Sequence, residues 1–449
     1  MNVLRLAALF SRPGKGSRAA LVLPIVAFGV VSALVLVVLA GVQVFFSWTG
    51  NIAGLYQALA VIALALLIVP LLGLGGSAAR LSARRRDDRL STLRLLGASG
   101  GTVAALTVLE STALALLGAL AGVAGYAALV PLVGLLRFRG EVLGAGALWM
   151  PVLEIAAVVA VLLLLAAASA VIGLRAVVIS PLGVRMKQSA PRTHWIRLVV
   201  GVVVIAASVG AVSLIGKLGG SEEMVIAIAI LTLLVGFGGT LAILNLIGPW
   251  VVGRFARRQV KHAHNAQRLI AARSVLESPK AAWRQISGVA MTSFMAVFAG
   301  TGLALAQTAQ SSGLDAQSRD LVDDIRTGIF LTIAISFLMV ACSVGVNQAA
   351  GILDRRDLYV SLDRLGMPIG AMDASRRRAV MSPLRIVTVG SAVCAAVVML
   401  PLTGIALIIA PLSIGVILAA LAAGIGLVWL GLRATRPVLS RVLREPERV

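Results

Sequence analysis

Uninterrupted apolar runs, each about twenty residues long or more, dominate this sequence and leave room only for short polar patches between them. The first, "ALVLPIVAFGVVSALVLVVLAGVQVFF" at 20–46, contains no charged side chain. At about 1.5 Å per residue, such a run makes a helix that reaches across the hydrocarbon core of a bilayer. Of 449 residues, 59% are hydrophobic and 13% charged, and the mean hydropathy is +1.00. No soluble domain has an interior able to hide that much apolar surface, so lipid is the solvent for most of the chain. The residue-by-residue alternation of a transmembrane β-strand is missing, which leaves helices. The expected fold class is an all-α integral membrane protein with about ten spans. They fall at 19–47, 54–79, 102–132, 150–178, 196–216, 224–252, 286–307, 326–352, 379–401 and 403–432.

The net charge of +22 raises nucleic acid as a partner, but its placement answers a different question. With the N-terminus inside, only Arg137, Arg139, Lys217, Arg319 and Arg326 of the 40 Lys and Arg residues lie in outer loops. This is the positive-inside bias, and it predicts a multi-pass protein of the cell membrane with both termini in the cytoplasm. The basic surface then meets anionic membrane lipid rather than nucleic acid. The first apolar run is too long for a signal-peptide core and reads as the first span. Cys342 and Cys394 fall inside expected spans and read as packing residues.

The two ends of the chain echo each other. When Gly97 is aligned with Gly366, Arg86 meets Arg355, Asp88 meets Asp357, Leu93 meets Leu362 and Leu96 meets Leu365. "GLRA" closes an apolar run at 173–176 and again at 431–434, and "SRPGKGSR" at 11–18 has a looser counterpart in "ESPKAAWR" at 277–284. Three markers in the same order predict a duplication: a four-span half over 1–187, a two-helix linker over 188–260, and a second four-span half over 261–449. Six spans separate corresponding starts, so the halves run in the same direction and are related by an axis along the membrane normal.

The shared element is a charged break in an otherwise apolar chain. "RRRDDRLSTLRLLG" at 84–97 places Leu90, Leu93 and Leu96 on one side of a short helix and Arg85 and Arg89 one turn apart elsewhere, with Arg86 between them. The second copy, 354–365, begins with Arg355 and Arg356 and aligns Leu358, Leu362 and Leu365 at i, i+4 and i+7. Gly97 and Gly366 suit the left-handed residue that ends a helix, and Pro368 forbids continuation. Two short amphipathic helices with defined stops, one in each half, suit levers seated in a cytoplasmic partner better than ordinary basic loops.

The block "RRRDDRLSTLRLLGASGGTVAALTVLESTALALLGALAGVAG" at 84–125 resembles the signature region of FtsX-like permeases of ABC transporters, the macrolide-exporter superfamily. "SPLGVRMK" at 180–187 is similar to the segment that ends such a domain. The resemblance covers the first half. In the second, Met367 and Pro368 replace Ala-Ser and no glutamate matches Glu110. The resemblance implies a permease that is not itself an enzyme, whose helices at 84–96 and 354–365 contact two copies of a cytoplasmic ATPase carrying ATP and Mg. It implies export or extraction of an amphiphilic substrate such as a lipid, drug or peptide. The ten-span layout is similar to the permeases of peptide-antibiotic resistance and lipoprotein-type exporters. The expected outer loops, 47–52 and 308–325, are too short for the large external domains of many such proteins. Two alternatives stay open: a permease that transmits a signal without moving cargo, and a proton-coupled secondary exporter.

"GKGS" at 14–17 lacks the spacing with which backbone N–H groups wrap phosphates, so the chain is expected to bind no cofactor of its own. "HAH" at 262–264 reads as part of a basic linker rather than a metal site. Glu110 is the one acid placed well inside an expected span, and an unpaired charge there would cost about 2–3 kcal/mol or more. It is either a proton or substrate residue or a carboxylate bonded to a neighbouring helix. Gly118, Ala121, Gly122 and Gly125 predict close helix packing. Trp48, Tyr56 and Trp149 suit interfacial anchoring, and Phe45, Phe46 and Trp48 are candidates for lining a lateral cleft between the halves.

Overall fold

A computed structural model describes residues 18–50, 52–84, 100–179, 222–310, 316–398 and 411–444. Nearly all of them are helical. Long helices form over the expected spans as α1 (Arg18–Ser47), α2 (Ala53–Arg84), α3 (Gly100–Gly134), α4 (Val152–Ile179) and α5 (Glu222–Lys261). A short helix α6 (Ala266–Glu277) precedes α7 (Pro279–Gln310) and α8 (Ala316–Asp354). Then come the short α9 (Arg356–Arg364), the long α10 (Ile369–Val398) and α11 (Pro411–Ala434), and a final short α12 (Arg436–Arg444). The expected span over 196–216 lies outside the described residues.

Among the described residues, seven helical stretches are long and apolar enough to cross a membrane: Val22–Ser47, Ala105–Gly134, Val152–Val171, Gly238–Lys261, Asp320–Asp354, Ile369–Val398 and Ile417–Arg444. The chain is therefore a helical membrane protein. Along α4 the apolar side chains point largely outward, with Val152, Leu153 and Leu164 all exposed, as lipid-facing residues are.

Several helices outrun their apolar cores. The loop expected over 308–325 is mostly helix, because α7 continues to Gln310 and α8 begins at Ala316. Asp320, Asp323 and Asp324 end the hydropathy signal without ending the backbone hydrogen bonding, which depends on φ and ψ rather than on polarity. For the same reason α5 runs to Lys261 and α10 begins at Ile369, ten residues ahead of its expected span.

Two compact units emerge. The first holds the described residues of Met1–Gln188, Leu338–Met367 and Leu430–Val449, and the second those of Ser189–Phe337 and Pro368–Trp429. In the first, α1 packs mainly along α3 and α2, and α4 packs against α3 and α2. The small residues of α3 make the α1 contact possible. A Cβ added at Gly118 would lie 2.6 Å from Phe28 Cβ, and one at Gly122 would lie 2.5 Å from the Gly29 carbonyl oxygen. Backbones that close gain dispersion contacts that larger side chains would forbid, the main attraction available between helices in lipid. Ser32 adds an interhelical bond, its hydroxyl donating to the Ala119 carbonyl at 3.2 Å.

The α3–α4 connection is ordered, which the sequence reading did not anticipate. β1 (Arg137–Phe138) pairs antiparallel with β2 (Glu141–Val142) around Arg139 and Gly140. Both turn residues have positive φ, 57° and 77°, the backbone of a tight two-residue hairpin. A 3₁₀ turn at Gly146–Leu148 follows, and its Leu148, with Met150, enters a core made by Leu36, Val37, Val44 and Tyr126. The buried Tyr126 hydroxyl donates to the Leu148 carbonyl and accepts the Met150 N–H at 3.0 Å, pinning the connection onto α3.

In the second unit α7 packs mainly along α10, and α5 packs against α6, α7 and α10. The Trp283 ring of α7 lies flat in the notch left by Gly248 of α5, and its indole N–H donates to Asn245 Oδ1 at 2.7 Å. Gly424 of α11 makes the same allowance for the ring of Phe337.

Candidate functional site

The second charged segment forms α9, one turn shorter than the 354–365 expected from sequence. Its first backbone bond runs from the Tyr359 N–H to the Arg355 carbonyl, and Asp357 in the first turn and Arg364 in the last complement the helix dipole. The stop is the one the sequence predicts. Gly366 takes φ +83°, its N–H bonds the Asp363 carbonyl at 2.8 Å, and the Met367 N–H reaches back to Leu362 at 3.0 Å. This pair of bonds is a Schellman motif, which caps the last carbonyls and needs a residue without a Cβ at 366.

What α9 does with its apolar residues is unusual. None of its residues is buried. Arg356, Tyr359, Val360 and Leu362 are half-buried, whereas Leu358 is 51% exposed and Leu365, just past the helix, 82% exposed. The leucine edge therefore faces away from the unit that carries it. Arg355 is exposed at the N-cap, and both Arg355 and Arg356 are engaged with neighbouring groups. Within the same unit α9 packs against α12.

A second cluster sits on the first turns of α10, in the other unit. Asp373 and Arg376 are both buried, 4% and 7% exposed, and Arg376 Nη2 donates to Asp373 Oδ1 at 2.8 Å. Arg377 Nε lies 3.1 Å from Asp373 Oδ2, an ion pair too poorly aligned for a hydrogen bond. The helices around it are tied by polar contacts: Arg378 donates to Gln267 of α6 at 3.0 Å, and Gln259 of α5 donates to Ser382. Charges near the end of a membrane helix are ordinarily solvated, so nothing in the local sequence marks Asp373 and Arg376 as buried.

The remaining sequence candidates separate. Arg85, Arg86, Arg89, Leu90, Leu93, Leu96 and Gly97 lie outside the described residues. Glu110 is half-buried on α3 between the buried Thr107 and Ser111, and it has an interaction partner. Phe45 and Trp48 come together at a ring separation of 4.9 Å, joined by Tyr56 and Phe138, with the Arg139 guanidinium 5.4 Å over the Trp48 ring. Phe46 stays exposed. Tyr56 is buried inside it, which corrects its reading as an interfacial anchor: a ring stacked on Phe45 and edge-on to Trp48 has its apolar surface taken by protein. Trp149 is exposed as an anchor would be. His262 Nδ1 engages the Arg258 carbonyl of its own helix at 2.9 Å.

Two further features escaped the sequence reading. Glu154, in the first turn of α4, accepts a hydrogen bond from the Gln43 amide of α1. Helix α12 is the other: its arginines obscure Val438, Leu439, Val442 and Leu443, which repeat at helical spacing. Compared with known proteins, the chain matches no family model and no curated sequence.

Proposed function

We propose that this chain is the membrane subunit of an ABC transporter of the FtsX-like permease kind. In this reading it works with two copies of a cytoplasmic ATPase that bind ATP and Mg, and it exports an amphiphilic substrate. The observation that carries the proposal is α9, a helix ended by a Schellman cap whose Leu358 and Leu365 are left open. An edge so built is matched to an apolar socket on another protein, because exposed leucine gains only by being covered.

The proposed duplication is supported by how the helices bury their faces. In the first half α1 and α3 form the main pair, and in the second their counterparts α7 and α10 do. Under the alignment of Gly97 with Gly366, Thr107, Ser111, Ala115, Gly118, Ala119, Gly122 and Tyr126 of α3 correspond to Arg376, Val380, Leu384, Val387, Thr388, Ser391 and Ala395 of α10. All fourteen residues are buried. Two unrelated helices would share such a register only by accident. Ten spans, two four-helix halves and cytoplasmic termini complete the proposed architecture. In the proposed mechanism, nucleotide-driven closure of the ATPase pair pushes on 84–96 and α9. That motion then passes into the helices which flank each lever, α2 and α3 in one half and α8 and α10 in the other.

The test uses the full-length chain purified together with whatever ATPase accompanies it. Leu358→Asp with Leu365→Asp, and separately Leu93→Asp with Leu96→Asp, should abolish stimulated ATP hydrolysis while membrane insertion and elution volume stay as in the parent. Undiminished hydrolysis in both pairs would remove the coupling role.

A further inference from the structure

We propose that α12 is the seat of α9: the C-terminal helix holds the docking helix in place with its leucine edge turned outward. The inference rests on the reading of α9 as a docking helix and adds the element that positions it.

A nine-residue helix is too short to persist in water on its own local bonds. The Schellman cap secures the C-terminal end of α9 but supplies no apolar burial, and α9 contributes no buried residue. Stability must then come from what it leans on, and among the described helices of the unit α12 makes the main contact with it. The chemistry of α12 fits that duty. Leu439 and Val442 are buried, and Val438 and Leu443 half-buried, along one side, while Arg436, Arg441 and Arg444 stand exposed on the other. The side chains of α9 that lose exposure are Arg356, Tyr359, Val360 and Leu362; Leu358 keeps it together with the polar Asp357, Ser361, Asp363 and Arg364, as does Leu365 just past the helix.

The sequence also redirects the chain at the right place. Pro437 has no N–H to give to Arg433 and its ring crowds that carbonyl, so α11 cannot simply continue. Buried Thr435 makes the break, its hydroxyl donating to the Leu432 carbonyl at 2.7 Å. Helix α12 therefore follows the turn at Thr435 as a separate short helix with its own buried edge. Under the proposed topology both short helices lie on the inner side, where α11 and α8 end.

The experiment places a nitroxide at position 365 (L365C in a C342A/C394A background) of the full-length chain in phospholipid nanodiscs. The seat is then loosened with L439D/V442D, and more gently with L439A/V442A in case the charged pair disturbs folding. R441Q changes the opposite face of α12 as a control. The expected result is a shift of the room-temperature spectrum from an ordered to a mobile component on the nanosecond scale in both inward variants, with R441Q unchanged. An unchanged spectrum in L439D/V442D, or an equal shift in R441Q, overturns the proposal. A second arm measures ATP hydrolysis by the co-purifying ATPase. Loss in the inward α12 variants matching the loss in L365D supports the seat, and full activity there despite loss in L365D overturns it. Full activity in L365D itself removes the docking reading, and the spectrum still decides whether α12 holds α9.

Discussion

The α1–α3 contact gives the sharpest prediction because its clearances are known atom by atom. Replacing Gly122 with alanine puts a methyl group 2.5 Å from the Gly29 carbonyl oxygen and 2.5 Å from Ser32 Cβ. At Gly118 the corresponding distances are 2.6 Å to Phe28 Cβ and 2.7 Å to the Ile25 carbonyl oxygen. These atoms are backbone or the first carbon of a side chain, so no rotamer change relieves the clash. The helices must part by about 1 Å, enough to forfeit a quarter to a half of the dispersion well for each contact near the site. Overpacking of this kind costs about 1–3 kcal/mol, against which alanine's better helix propensity returns at most about 1 kcal/mol. The net prediction is a loss of about 1–2 kcal/mol for each single variant, and a larger loss for the pair. Gly125 is the internal control, since a methyl there would sit 3.4 Å from Ala33 Cβ, at ordinary contact. The assay is thermal unfolding in mild detergent, read as the fraction of monodisperse protein left after heating. Should Gly122→Ala melt with the parent, or should Gly125→Ala fall as far as Gly122→Ala, the close-packing argument is wrong.

Two further outcomes follow from buried polar groups, with the same melting assay reporting the first. Asp373→Ala removes the carboxylate to which the buried Arg376 Nη2 donates and should cost about 1.5–3 kcal/mol, the range for a hydrogen bond to a charged group, whereas Arg377→Gln, at a partly exposed side chain, should cost less than about 1 kcal/mol. Tyr126→Phe removes the hydroxyl shared by Leu148 and Met150 and should cost about 1–3 kcal/mol. Its signature is faster hydrogen exchange at the Met150 amide, and unchanged exchange there would show that the α3–α4 connection is held by something else.

The features legible in the sequence are those that local chemistry decides. Gly366 followed by Pro368 announces a helix stop whatever surrounds it, and the Schellman bonds form there. Gly118 and Gly122 announce a close approach, and Gly29 and Ser32 supply the other surface. Features that depend on a partner remote in sequence were not legible. Asp373 and Arg376 look like ordinary solvated charges, yet both are buried on α10, a helix packed against α5, α6 and α7. Tyr56 has the composition of an interfacial anchor, and the approach of Phe45 and Trp48 makes it a core residue. Helix α12 carries a signal in Val438, Leu439 and Val442, but Arg436, Arg441 and Arg444 give the same stretch the composition of a solvated basic segment. The charged starts of α8 and α10 fall outside the expected spans for a related reason: hydropathy reports where lipid ends, and a helix need not end there.

The central claim is that the leucine edge of α9 is a docking surface for a separate nucleotide-hydrolysing protein. The direct measurement places a photo-activated cross-linking amino acid at position 365 of the full-length chain in living cells. A docked edge gives an adduct with a cytoplasmic protein that also takes up a photoreactive ATP analogue, lost when Leu358→Asp is added. Adducts with lipid alone, or reaction with reagents confined to the outside of the cell, would contradict it.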